Sequence, residues 1–222
     1  MMICPETFYE EKLKGKTAAE IMTVIRGLKQ EIGRLKNIAE HPEYQCMMHP
    51  SEAVRISCSR DYLERAKQAL IEAGGEYVPS AAEKEAMDFD ANIPYINKVV
   101  FTIGGYFNGY ETKTYTIKGD KVYTYNEHSL ILKPSNFDDG KIEPWDKDEF
   151  LEELKYLHIG EWRKYYNLKR FRMYVCDGTQ WDLEIYFSND HKPVKIYGDN
   201  AYPYNFNRLL ELLRWKENRR KY

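Results

Sequence analysis

The chain has 222 residues, 43% of them apolar and 31% charged, with a formal net charge of −2. That balance describes a globular protein of one large or two small domains, able to build a core without disulfides or metals. The near-neutral charge gives no global pull toward nucleic acid or an anionic membrane, and no apolar run approaches the ~18 residues of a bilayer span.

The N-terminal stretch MMICPETFYEEKLKGK is acidic early and has no long apolar segment, which argues against secretion. The four cysteines (Cys4, Cys46, Cys58, Cys176) show no framework spacing, as expected of a reduced cytoplasmic protein. Residues 17–39 read as an amphipathic helix. Thr17 and Glu20 fit a capping box, and Ile21, Val24, Ile25, Leu28, Ile32 and Leu35 follow at helical spacing. Gly27 and Gly33 each weaken that helix by about 1 kcal/mol relative to Ala, so packing must hold it. A second helix is predicted from near Ser59 through Leu70 and Ala73, with Gly74-Gly75 as its stop. A third, short one runs from Ser80 to about Phe89. These elements define a helical module over residues 1–92.

From Ile96 the apolar period becomes two. NKVVFTI and YETKTYTI read as strands around the glycine-aromatic loop GGYFNGY, and the KGDK turn leads into a third, VYTYNE. A loop spans about 128–145, and loops of that length are often functional. Asp146 and Glu149 then cap a helix with Phe150, Leu151, Leu154 and Leu157 on its apolar face. GEWRKYYN reads as a shorter helical piece. RFRMYVC and TQWDLEIYF are predicted to form a hairpin about Asp177-Gly178, with PVKIY as a further strand. A last helix begins at Pro203 and buries Phe206, Leu209, Leu210 and Leu213. Residues 93–222 thus form a mostly antiparallel sheet with two or three covering helices. The fold class is α+β.

Several familiar chemistries lack their motifs. There is no Gly-x-Ser-x-Gly elbow, phosphate-binding Gly-x4-Gly-Lys, dinucleotide fingerprint or His-Glu-x-x-His. His41, Cys46, His49 and Cys58 are the best metal candidates. A structural zinc site usually draws two tight ligand pairs, and only Cys46-x-x-His49 is tight, so no metal is expected. Asp182 and Glu184 share a strand face, but a nuclease of the restriction type would want a lysine where Tyr186 stands. The turn Gly198-Asp199-Asn200-Ala201-Tyr202-Pro203 resembles a site. It reads better as a joint, with Gly198 free to take a positive φ and Pro203 fitted to the first helical position.

Three tracts are better binding candidates. The loop 104–110 carries Tyr106, Phe107 and Tyr110, aromatic anchors of the kind that form hot spots. The tract from Asp138 to Glu153 holds eight acids and two lysines, beginning with Asp138, Asp139 and Glu143 beside Trp145. The stretch RKYYNLKRFR sets Arg163, Lys164, Lys169, Arg170 and Arg172 among Tyr165, Tyr166 and Phe171, a footprint suited to single-stranded nucleic acid. The chain is bipolar, and it is rich in tyrosine, with 19. Tyrosine offers large contact area at little entropic cost.

The segments DGTQWDLEIYFS and YGDNAYPYNFNRLLELL resemble the C-terminal part of uncharacterised hypothetical proteins of Gram-positive gut bacteria, for which no activity is known. RGLKQEIGRLK with SRDYLERAKQALIEAGG resembles proteins of mobile elements from similar hosts. Accessory proteins of that kind include inhibitors of host defence such as anti-CRISPRs. Together these features imply a non-catalytic cytoplasmic protein, needing no cofactor. It would act by occlusion, docking an aromatic and acidic surface on a larger protein with a cationic surface, such as a nuclease. The alternative is a nucleic-acid binder using residues 163–172 and the C-terminal helix. A membrane partner is not expected.

Overall fold

The computed structural model describes residues 3–46, 49–105, 109–128, 144–175 and 177–215. The chain divides into two compact units, Met1–Ser80 and Ala81–Tyr222.

The first unit is helical: α1 (Pro5–Lys12), α2 (Ala18–Ala39) and α3 (Glu52–Glu72). The capping box of α2 is formed as predicted. Thr17 Oγ1 accepts the Glu20 N–H, and the Glu20 carboxylate accepts the Thr17 N–H at 2.8 Å. The stripe Ile21, Ile25, Ile32 and Leu35 is buried together with Ile56, Leu63, Ala66, Ala69 and Leu70 of α3. Helix α3 begins at Glu52 rather than near Ser59, because Ser51 is its N-cap and accepts the Val54 N–H; Ser59 lies inside it, buried. Its end is a Schellman motif. Gly74 at φ +75° lets the Gly75 N–H reach Leu70 O at 2.9 Å and the Gly74 N–H reach Ile71 O at 2.9 Å. Helix α1, not anticipated from the sequence, starts with Pro5 behind Cys4, whose Sγ accepts the Thr7 N–H.

The second unit contains α4 (Ala81–Asn92), β1 (Ile96–Gly105), β2 (Gly109–Lys118), β3 (Lys121–His128), β4 (Trp145–Asp146), α5 (Lys147–Tyr156), β5 (Tyr165–Asn167), β6 (Gln180–Phe187), β7 (Val194–Asp199) and α6 (Phe206–Leu212). Its seven-stranded sheet has the order β4-β3-β2-β1-β6-β7-β5. Every pairing is antiparallel except β5 with β7. The architecture is α+β with an N-terminal helical region.

The boundary lies between Ser80 and Ala81, not at residue 92. Helix α4 belongs with the sheet because Phe89 and Ile93 enter its core, Phe89 meeting Phe187 edge-on at 6.2 Å. RFRMYVC is not the hairpin partner of β6, since β1 and β7 occupy both edges of that strand. Those long-range pairings leave residues 168–171 a short 3-10 turn. Likewise GEWRKYYN is no helix: its Tyr165–Asn167 adds a parallel edge strand, and only Ile159–Glu161 makes a 3-10 turn.

Strand alternation puts Val99, Phe101, Tyr115, Trp181, Leu183, Ile185 and Ile196 on one face of the sheet. Helices α4, α5 and α6 supply Phe89, Phe150, Leu154, Phe206 and Leu209 to the same core. All three helices therefore serve one side.

Candidate functional site

Among the described residues of this unit, no helix covers the other side of the sheet. The ladder registers align its residues in rows across the strands. One row is Tyr123–Thr116–Lys98–Tyr186, and the next is Tyr125–Thr114–Val100–Glu184–Lys195. The third is Glu127–Thr112–Thr102–Asp182–Tyr197–Tyr165, and the fourth is Tyr110–Gly104–Gln180–Asp199–Asn167. None of these residues is buried, whereas the opposite phase of the same strands buries Val99, Phe101, Tyr115, Val122, Trp181, Leu183, Ile185 and Ile196. With strands about 4.8 Å apart and same-face residues about 7 Å apart, the platform measures about 24 by 20 Å, or roughly 500 Å². That is more than half of the ~800 Å² each partner contributes to a standard interface.

Six tyrosines stand on this face. Tyr125 (64% exposed), Tyr165 (52%), Tyr123 (46%) and Tyr197 (41%) are the most open. Tyr110 and Tyr186 are half-buried and held in place. Tyr110 Oη donates to Gln180 Oε1 at 2.6 Å, and Tyr186 Oη donates to the Glu184 carboxylate. Between them runs a hydroxyl ladder, with Thr102 and Thr112 bonded at 2.9 Å. Large rigid phenols beside small hydroxyls can supply broad contact area and adaptable hydrogen bonding at little entropic cost.

Charge is distributed unevenly across the rows. Glu184 is satisfied: Lys195 Nζ donates to it at 2.8 Å, and its carboxyl lies below the ordinary range because of Lys195 and Tyr186. Lys98 Nζ sits 4.0 Å from the centroid of the Tyr186 ring. The row through Asp182 holds two carboxylates and no cation. Among the described residues, the Asp182 side chain takes part in no hydrogen bond or ion pair. Partial burial, with Glu184 nearby, pushes its carboxyl above the ordinary range.

The sites predicted from sequence are only partly brought together. Tyr106, Phe107, Asp138, Asp139 and Glu143 lie outside the described residues, while Tyr110 stands on the open face. Trp145 is not a surface anchor. It is 7% exposed, stacked on Tyr115 at 5.8 Å and tilted against Phe150 at 5.2 Å. Arg163, Lys164, Lys169 and Arg172 are exposed around edge strand β5, and the Arg170 guanidinium lies 4.6 Å from the Phe171 ring centroid. Tyr166, read as an interleaved aromatic, is buried against Trp181 at 5.8 Å. Of the C-terminal cations, Arg214 covers the Trp145 ring at 4.3 Å, and residues 216–222 are not described. Among the described residues no three of His, Cys, Asp and Glu converge on a metal-sized site. No described helix is long and apolar enough to cross a membrane.

No family model, curated protein or solved structure matches the chain.

Sequence reasoning missed the platform as a unit. It weighed Asp182 and Glu184 only as metal ligands and treated Tyr123, Tyr125 and Tyr197 as ordinary strand residues. The signal was present in YETKTYTI and VYTYNE, whose outward phase is Thr and Tyr at every position but Glu127.

Proposed function

We propose that this protein binds another protein, without catalysis, by laying the open tyrosine face of its sheet on a cationic surface and so occluding it. The observation that carries the reading is the row Glu127–Thr112–Thr102–Asp182–Tyr197–Tyr165, acidic and aromatic with no cation of its own. Complementary charge would set orientation and on-rate, and the phenols would supply buried contact. The most concrete form is an inhibitor covering the nucleic-acid cleft of a nuclease, in keeping with the resemblance to mobile-element proteins and anti-CRISPR-like context.

The test is capture from lysates of bacteria with and without defence nucleases, using the full chain and a Tyr125→Ser, Tyr197→Ser variant. Both tyrosines are exposed, so the variant keeps its fold. The reading expects a stoichiometric basic protein that the variant does not retain and whose nucleic-acid cleavage the wild-type chain suppresses. Failure to recover a stoichiometric partner, or equal recovery by the variant, overturns it.

The exposed cations around β5 support a second reading, binding of single-stranded nucleic acid beside Tyr165 and Tyr174. Mobility shifts should then weaken steeply with salt and vanish in Arg170→Glu with Arg172→Glu. Against it stand Asp182 and Glu184 at the centre of the platform, where phosphates would be repelled.

A further inference from the structure

The platform has one polar group whose local chemistry is incomplete. Across β6 the outward residues are Gln180, Asp182, Glu184 and Tyr186. Three of the four have partners: Gln180 accepts from Tyr110, Glu184 accepts from Lys195 and Tyr186, and Tyr186 lies under Lys98. Among the described residues Asp182 has none, although its flanking residues could have supplied one. Thr102, opposite it on β1, bonds to Thr112 on β2. On β7 its opposite is Tyr197, a ring rather than a cation, while Lys195 one step along is drawn to Glu184. A half-buried carboxylate left bare costs free energy that a neutral residue would avoid.

What would complete it can be read from the neighbours. An incoming group must be cationic to pair with the carboxylate. It must also tolerate a half-buried position between Thr102 on one neighbouring strand and Tyr197 on the other. A lysine ammonium is strongly hydrated and loses much on entering such a site. An arginine guanidinium is planar, more weakly hydrated, able to present two parallel N–H groups to one carboxylate, and able to stack on a phenol. Tyr165, in register beyond Tyr197, extends the aromatic wall toward the sheet edge.

We infer that Asp182, with Tyr197 beside it, is a receptor for an arginine side chain of the partner, the guanidinium forming a two-pronged ion pair with the carboxylate and lying against the ring. The inference rests on the docking reading above and specifies its partner chemistry as arginine-bearing rather than merely basic.

The probes are hepta-arginine and hepta-lysine peptides, titrated calorimetrically at low salt into the full-length protein, Asp182→Asn and Glu127→Gln. Asp182→Asn keeps side-chain shape, and its unfolding midpoint is measured alongside. The wild-type chain should bind the arginine peptide about tenfold tighter than the lysine peptide. Asp182→Asn should weaken arginine binding by about tenfold to hundredfold and abolish the preference. Glu127→Gln, which removes one charge from the same row, should keep the preference. Equal affinity for the two peptides, an equal loss in Glu127→Gln, or no arginine binding at millimolar concentration overturns the arginine receptor. In each of those cases partner capture by the tyrosine face still decides the docking reading separately.

Discussion

The indole of Trp181 lies directly against Gly198, where a Cβ would overlap its Nε1, and that same nitrogen donates to Ala201 O at 2.9 Å. One side chain thus joins the start of β6 to the joint that leads into α6. Gly198 is needed for this close approach, not for a left-handed backbone; the positive φ falls on Asn200 at 52°. Asn200 Oδ1 accepts the Thr179 N–H at 2.8 Å, and the Asn200 N–H donates to Thr179 O at 2.9 Å, closing the joint onto the start of β6. Gly198→Ala must push the indole out of a site where it is 1% exposed. The expected loss is about 1–3 kcal/mol, read as a lower urea midpoint with an unchanged slope.

Phe89 tests where the second unit begins. It is 3% exposed and packs edge-on to Phe187. Phe89→Ala should destabilise the sheet unit by about 3–5 kcal/mol. Tryptophan fluorescence reads this directly, because Trp145, Trp162, Trp181 and Trp215 all lie in that unit. An unfolding midpoint unmoved in that signal would put the boundary back at residue 92.

Gly27 and Gly33 make the opposite prediction. Both sit inside α2, and a Cβ at either position would meet nothing within 4 Å. Packing holds the helix through Ile21, Ile25, Ile32 and Leu35, while the glycines contribute only backbone freedom to the unfolded chain. Gly27→Ala and Gly33→Ala should each stabilise the helical unit by about 0.5–1 kcal/mol. Melting followed by circular dichroism checks this, and the double variant should show additive gains.

Much of this architecture was legible because its signals are local. Thr17 and Glu20 announce a helix start by themselves, and Trp181, Leu183, Ile185 and Phe187 announce a half-buried strand by alternation. What was not legible depended on distant partners. RFRMYVC has strand propensity beside a turn, yet β1, from some 80 residues earlier, takes the edge of β6 that a hairpin would have used. Trp145 looked like an interface anchor because its neighbours in sequence are charged, but its neighbours in space are Tyr115, Phe150 and Arg214. The open face was hidden for the same reason. Six tyrosines on five different strands become one surface only when the registers are known.

Asp182 ties stability to function through its proton. Burial, then Glu184, raise its carboxyl above the ordinary range, so the native state holds that proton more tightly than the unfolded chain does. Its contribution is therefore fully favourable below the unfolded pKa and is lost as pH rises through the folded one. Glu184 runs the other way: depressed by Lys195, it supports the fold above its unfolded pKa and loses that support as pH falls through the folded value. Comparing wild type with Asp182→Asn cancels the Glu184 contribution to first order and isolates Asp182. The variant should be the more stable protein near pH 7, and its advantage should shrink toward about pH 4 as Asp182 takes up its proton. Urea midpoints at several pH values measure the difference. A variant less stable at neutral pH would mean that the carboxylate already has a cation within its own chain, leaving no vacancy for the arginine of a partner.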